Sequence, residues 1–338
     1  MVTHRSLAVS LIVLAAGGLS ASAGVTRHDR SQADYLALGA LGDYSSVGQI
    51  QFTTPAGGYL GSGTLIAEDW VLTAAHVVDD ATALTFTLGG TTYTGASWLP
   101  YPKWNGDLLA GYDIGLVKLA EPVAGVTPAT RYAGSDEAGA VGTAVGYGMT
   151  GTGLTGATTY DGEKRAGENV IDGFYARNPR KEPTLFLSDF DNPLNAGDNV
   201  YGSADPLDLE YLIAFGDSGG GVFIDLGFGL ELAGVNSFIA SFDGTTDADY
   251  GDVAGFTRVS AFNQWIDDIL GGGGKGGKGG GKPGGDKPGK GGGKPTDLLI
   301  DCDLTAPGVS IQPMFIPEPV SLTLLALGGG LLALRRRR

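Results

Sequence analysis

The sequence predicts an all-β body, built as a sandwich or as barrels and closed by one helix. Short apolar or alternating runs recur between Gly-rich turns along residues 47–259, the pattern of many short strands. Helical periodicity is confined to the end of the body, and few helices beside many strands select a layered β architecture. The runs are, in order, Val47–Phe52, Gly63–Ile66, Trp70–Thr73, Ala83–Leu88, Ile114–Leu119, Ala140–Tyr147, Thr184–Leu187, Gly221–Ile224, Leu230–Ser237 and Gly255–Val259. Ala83–Leu88 alternates cleanly, and Gly89-Gly90 reads as a hairpin turn into Thr91–Thr94. At the end, Phe262, Trp265, Ile266, Ile269 and Leu270 fall on one helical face, with Ser260 as the N-cap.

Composition divides the 338-residue chain. Residues 1–23 carry His4 and Arg5, an apolar run from Leu7 to about Leu19, and then Ala21-Ser22-Ala23. Those are the parts of a secretory signal peptide cut after Ala23. Residues 24–270 form the body, 271–295 a Gly/Lys/Pro-rich linker, 296–316 a spacer and 317–338 a terminal signal. The body carries 32 acidic against 11 basic side chains, so repulsion excludes nucleic acid and anionic lipid as its partners. It holds no cysteine, and an exported domain of this length buries enough core without disulfides. The linker composition cannot bury apolar surface, and its six lysines read as solvated. Cys302, the single cysteine, reads as an incidental thiol, with pairing between molecules as the alternative.

The chemistry is concentrated in two short strings, Thr73-Ala74-Ala75-His76 and Gly216-Asp217-Ser218-Gly219-Gly220. A serine hydroxyl becomes a nucleophile only beside a base, with a third group orienting that base and N–H donors for the oxyanion. Glycines around the serine let successive N–H groups point at one spot. The chain has three histidines, and His4 lies in the segment read as a signal peptide. A histidine-dependent mechanism therefore uses His76 or His28, of which His76 has the suggestive context.

Taken together, Gly61-Ser62-Gly63-Thr64-Leu65-Ile66, Trp70 to His76, Tyr112-Asp113-Ile114-Gly115-Leu116-Val117-Lys118-Leu119 and Gly216 to Gly220 resemble the trypsin-like (chymotrypsin-fold) serine proteases. The order His, Asp, Ser is that family's order. Phe256-Thr257-Arg258-Val259-Ser260 and Trp265-Ile266 are similar to its last strand and closing helix. Alone, an Asp before a β-branched run marks strand entry and an Asp-Ser-Gly-Gly string marks a turn; four motifs in order carry the likeness. It implies two six-stranded antiparallel barrels with the active site between them. It further implies Ser218 as nucleophile, His76 as general base, Asp113 as the carboxylate orienting it, and the N–H groups of Gly216 and Ser218 as oxyanion hole.

The resemblance also frames the departures. Gly221 stands where a proline usually follows the nucleophile motif, which removes no catalytic group. No Ile-Val-Gly-Gly-like start is present, yet a buried Asp217 needs a partner. Gly24, Arg27 or His28 is the candidate partner, with a solvated or otherwise paired Asp217 as the alternative. Leu212 matches the base of the primary pocket, Ser237, Phe238 and Ile239 the strand that pairs with substrate, and Ala254 the facing wall. An uncharged pocket preferring small or medium aliphatic residues is expected. The acidic string Asp189-Phe190-Asp191-Asn192-Pro193 offers oxygen ligands for calcium, but its spacing fits no defined calcium loop. It reads as a solvated surface loop, and no cofactor is expected.

At the C-terminus, Pro317-Glu318-Pro319 precedes fifteen mostly apolar residues, 320–334, and then four arginines. This tail resembles the PEP-CTERM sorting signal of Gram-negative bacteria. It implies a transmembrane helix over 320–334 with the arginines on the cytoplasmic side, recognition by an exosortase, and a body working at the cell surface or outside. A plain tail anchor is the alternative, disfavoured by the short span. The whole predicts an exported serine endopeptidase acting on peptide or protein substrates, with signal peptidase and exosortase as processing partners. Its membrane contact is limited to the sorting helix. The alternatives are a non-catalytic matrix or adhesion protein on the same scaffold, and an esterase using the same three residues.

Overall fold

In order along the chain, β1 (Gly24–Thr26) and α1 (Gln32–Gly39) lead into six strands that roll up on themselves. These are β2 (Val47–Thr54), β3 (Gly57–Ala67), β4 (Trp70–Thr73), β5 (Ala83–Leu88), β6 (Thr91–Pro100) and β7 (Gly115–Leu119), with the one-turn helix α2 (Ala75–Val78) after β4. They pair in the order β3-β2-β5-β6-β7-β4, and β4 returns to β3, so the sheet closes as a six-stranded barrel. Alternation drives the closure: Leu84, Phe86 and Leu88 of β5 point inward with Ile50 and Phe52 of β2, while their neighbours face out. Gly89 and Gly90 take φ of +57° and +81°, which supplies the expected two-residue hairpin between β5 and β6. The structure, a computed structural model, describes residues 24–271, 299–300, 304–314 and 316–317. Residues 1–23, nearly all of the linker, Cys302, Glu318, Pro319 and the apolar run 320–334 lie outside the described residues.

The second half adds β8 (Val141–Gly146), β9 (Thr150–Thr152), β10 (Gly156–Thr159), β11 (Arg165–Val170), β12 (Gly173–Tyr175), β13 (Leu185–Asp189), β14 (Tyr211–Leu212), β15 (Gly221–Asp225), β16 (Leu230–Ser241) and β17 (Val253–Arg258). Strands β11, β8, β15, β16, β17 and β13 pair in that order, with β12 beyond β13. The two ends of this run approach each other, and the Asn169 side chain of β11 donates to the Asp189 carbonyl of β13 at 2.6 Å. The architecture is therefore the all-β, two-barrel chymotrypsin fold with a short closing helix, α3 (Asn263–Leu270). A side sheet, β10-β9-β1-β14, anchors the N-terminal strand beside Tyr211 and Leu212.

Two further strands follow the linker. β18 (Ser310–Pro313) pairs antiparallel with β16, and β19 (Ile316–Pro317) pairs antiparallel with β3 of the first barrel. The sequence reading assigns these residues to the spacer and to the start of the sorting signal.

Helix α3 ends the body as expected, with Ile266 buried in the first barrel's core and Trp265 and Ile269 packed on it. Its start differs. Ser260 begins a 3-10 turn, Ser260–Phe262, and its hydroxyl donates to Glu137 at 3.0 Å, so Phe262 occupies the cap position. Glu137 prefers that donor because it is already buried against Arg258, whose two guanidinium nitrogens donate to its carboxylate at 3.0 and 2.9 Å. The acidic string also departs from its reading as a solvated loop: Asp189, Asp191 and Asn192 are buried. Asp189 sits in the sheet, and one carboxylate oxygen accepts the N–H groups of Val200 and Tyr201 at 2.5 and 2.8 Å. Among the described residues no helix is long and apolar enough to cross a membrane.

Candidate active site

Barrel register brings the imidazole and its orienting carboxylate together. Thr73 of β4 pairs with Gly115 of β7, so the residues just after β4 and just before β7 leave the barrel at one rim. His76 lies three positions beyond Thr73 and Asp113 two before Gly115. Val77 and Val78, fully buried, pin α2 to the core and hold the imidazole at the rim. Asp113 is fully buried and its charge is met by three donors. Oδ1 accepts the His76 backbone N–H at 2.9 Å, and Oδ2 accepts His76 Nδ1 at 2.7 Å and the Ser237 hydroxyl at 2.6 Å.

The third group arrives from the other barrel. Residues 216–220 form the turn leading into β15, with Gly216 and Gly219 at φ of +99° and +84°, a backbone that only glycine adopts without strain. A Cβ on Gly219 would also lie 2.0 Å from Thr73 Oγ1 and 2.4 Å from the Ser62 carbonyl oxygen; the barrels meet here with no room for a side chain. Cross-barrel hydrogen bonds fix the turn: Ser62 N–H donates to the Ser218 carbonyl at 2.7 Å, and the Ser62 hydroxyl to the Gly216 carbonyl at 2.9 Å. Ser218 Oγ is thereby placed 2.8 Å from His76 Nε2. With the imidazole proton on Nδ1 facing Asp113, Nε2 presents its lone pair to the Ser218 proton.

The turn also aims two N–H groups at one point. Those of Gly216 and Ser218 both donate to the Met314 carbonyl oxygen, at 2.9 and 3.3 Å. The pair of donors read from the sequence as an oxyanion hole thus already holds a carbonyl.

Asp217 points away from this face and is fully buried. The sequence reading looks to Gly24, Arg27 or His28 for its partner. Arg27 instead pairs with Asp29 at 2.7 Å, and His28 Nδ1 meets the Tyr250 hydroxyl at 2.9 Å. Asp217 accepts the N–H groups of Gly148 and Ala214 at 2.7 and 2.8 Å and the Tyr211 hydroxyl at 3.3 Å. Two backbone N–H groups and a phenol therefore meet it, with the charge of Arg165 acting on it as well. Burial pushes this carboxyl up to about 7, with those hydrogen bonds pulling the other way. Gly24 is wedged against the same phenol: a Cβ there would lie 1.8 Å from the Tyr211 oxygen.

Of the five residues read as the primary pocket, three share one buried apolar cluster. Leu212, Ile239 and Ala254 belong to it together with Met314, and none of them is charged. Phe238 does not; its side chain joins a separate cluster with Leu185 and Leu304 on the other face of β16. The Ser237 hydroxyl is turned to Asp113. A register shift between Asn236 and Phe238 breaks the simple alternation there. Beside His76 a cleft of about 490 Å³ opens between Trp104, Leu108, Tyr59 and Pro313.

Sequence reasoning missed Ser237 as a donor to Asp113, Ser62 as the clamp on the nucleophile turn, and Met314 altogether. Alternating Ser310-Ile311-Gln312 is the one local hint of a strand after the linker. Away from the site, carboxylates of Asp247, Asp249 and Asp252 lie within 4.8 Å of one another and could hold a metal ion.

The chain is similar to known proteins over part of its length. The family model described as Trypsin matches residues 41–172. Chymotrypsin-like elastase family member 1 of Canis lupus familiaris is 39% identical over 72 residues, which span 18% of this chain and 28% of that protein. Among solved structures, HL collagenase has a TM-score of 0.49 at 21% identity, covering 68% of this chain and 95% of its own. Neuropsin, a serine protease of mouse brain, has a TM-score of 0.49 at 17% identity, covering 69% and 97%. The chain is thus similar to the trypsin family over residues 41–172, and its two barrels have the chymotrypsin fold.

Proposed function

We propose that this domain is a serine endopeptidase that cleaves peptide bonds through an acyl-enzyme on Ser218. One observation carries the reading: an unbroken relay from Asp113 through His76 to the Ser218 hydroxyl, with joints of 2.7 and 2.8 Å. As Ser218 Oγ adds to the substrate carbonyl carbon, its proton passes to His76 Nε2, and Asp113 stabilises the imidazolium. His76 then gives that proton to the leaving amine. A water molecule repeats the sequence on the ester, releasing the acid and restoring the hydroxyl. The N–H groups of Gly216 and Ser218 stabilise the oxyanion, where one such donor is typically worth about 10²–10³ in turnover. Leu212, Ile239 and Ala254 give the primary pocket its preference for apolar residues of modest size.

The same proposal places the enzyme outside the cytoplasm. Residues 1–23 direct export, and Pro317-Glu318-Pro319, the apolar run 320–334 and the terminal arginines direct sorting by an exosortase.

Labelling with a fluorophosphonate tests the chemistry. Wild-type protein takes up one label at Ser218, and Ser218→Ala takes up none; a Ser218→Ala protein that is still labelled refutes the proposal.

A further inference from the structure

Residues 310–314 and 316–317 cross from one barrel to the other beside the nucleophile turn. Ser310–Pro313 lie antiparallel on β16, with Phe238 opposite Pro313, Ile239 opposite Gln312 and Ser241 opposite Ser310. Met314 follows, fully buried, its side chain in the apolar cluster of Leu212, Ile239 and Ala254. Its carbonyl oxygen accepts both N–H groups of the nucleophile turn. Ile316 then pairs with Leu60 on β3, across the cleft on the other barrel. A tail that merely docked on a free sheet edge would satisfy its backbone on β16 alone. Backbone pairing on both barrels, at Pro313 and at Ile316, flanks the peptide bond that follows Met314. The residue before that bond fills the pocket, and its carbonyl sits where an oxyanion would form. Methionine suits the place, being unbranched, uncharged and adaptable in an apolar cavity.

We propose that the enzyme cuts its own chain between Met314 and Phe315, in cis, releasing the body from residues 315–338. The inference rests on the serine protease reading above and names that site's first substrate. Ser218 Oγ adds to the Met314 carbonyl carbon while His76 takes its proton. The bond to the Phe315 nitrogen then breaks, and that nitrogen leaves as an amine carrying the proton from His76. Water hydrolyses the Met314 ester, giving a Met314 carboxylate and the free Ser218 hydroxyl; nothing is oxidised or reduced. The cut separates the body from Pro317-Glu318-Pro319, so the protein would carry its own means of leaving its sorting signal. Until then the segment occludes the cleft against other substrates.

The test follows full-length protein by intact mass spectrometry during incubation. Wild type yields two fragments, one ending at Met314 and one beginning at Phe315, with a rate constant unchanged by tenfold dilution. Ser218→Ala stays whole, slowed by more than about 10⁴-fold. Met314→Asp, which sets a carboxylate against an apolar pocket, slows the cut by about 10²-fold or more while still taking up the fluorophosphonate at Ser218. Wild type that stays whole, while Met314→Asp is labelled at Ser218, overturns self-cleavage and leaves the serine protease reading standing. Absence of label in both wild type and Met314→Asp overturns both. Cleavage at another bond, or a rate constant that rises with protein concentration, also overturns the proposal.

Discussion

Asp113→Asn isolates what the buried carboxylate contributes, and the hydrogen-bond pattern fixes the outcome. Oδ1 accepts the backbone N–H of His76 at 2.9 Å, a donor that cannot reverse its role. The amide oxygen of the replacement must stay there, because an NH₂ group would face that N–H donor to donor. The NH₂ group therefore lands at the Oδ2 position, against His76 Nδ1, which is 2.7 Å away in the native protein. Ser237 accommodates this by turning its hydroxyl to accept. The imidazole can accommodate it only by presenting its Nδ1 lone pair, which moves its proton to Nε2. That nitrogen then faces the Ser218 hydroxyl as a donor and cannot take its proton. A loss of about 10⁴ in kcat follows, or roughly 5.5 kcal/mol of barrier, with little loss of stability because every buried polar group keeps a partner. Turnover of a methionyl anilide measures it, with both chains ending at Gly271 so that the segment on β16 and β3 does not fill the cleft. An Asn variant within tenfold of its parent at neutral pH would refute the tautomer reasoning.

Three further outcomes are expected. Leu212→Asp should cut turnover of apolar substrates by about 10–100-fold, since a carboxylate at the pocket base must be desolvated as they bind; unchanged kcat/KM for a methionyl anilide would remove Leu212 from the pocket. Glu137→Leu strands the buried Arg258 guanidinium and should cost about 3–5 kcal/mol, measured by urea unfolding, with most of it restored on adding Arg258→Met. Stability should also rise as pH falls from about 8 toward 5. Burial lifts Asp252 to about 8, Glu210 to about 9 and Asp217 to about 7. In that window the folded chain holds protons the unfolded chain has released, so stability is greatest near pH 4–5 and is lost as pH climbs through 7–9. A melting temperature that falls between pH 8 and 6 contradicts this.

How far the sequence could be read depends on whether a feature is local. His76, Asp113 and Ser218 each stand in a short motif of distinctive order, so their meeting was expected before any coordinates. Strands such as Ala83–Leu88 and Trp70–Thr73 were legible by alternation and coincide with β5 and β4. Barrel closure was not, because period two says nothing about which edges join; that came only through the resemblance. β11 was hidden for another reason: its buried Arg165 and Asn169 are polar, and they donate to Asp161, the Asp189 carbonyl and the Tyr211 carbonyl. Two of the three hydrogen-bond partners of Asp217 are backbone N–H groups, which no residue pattern advertises. The orientation of Ser237 depends on an irregularity in β16 that alternation cannot anticipate. Met314 was out of reach because its strand pairs with residues some seventy positions earlier.

The reacting groups are split between halves of the polypeptide made at different times. The imidazole precedes the hydroxyl it activates by 142 positions, and the turn bearing that hydroxyl is held by Ser62 from the opposite half. If the chain is the protease proposed above, it has nothing sharp to expose while it is being made, however far its leading half has folded. Danger to neighbouring proteins begins only when the trailing half mates with the leading one, which makes correct assembly itself the safety catch.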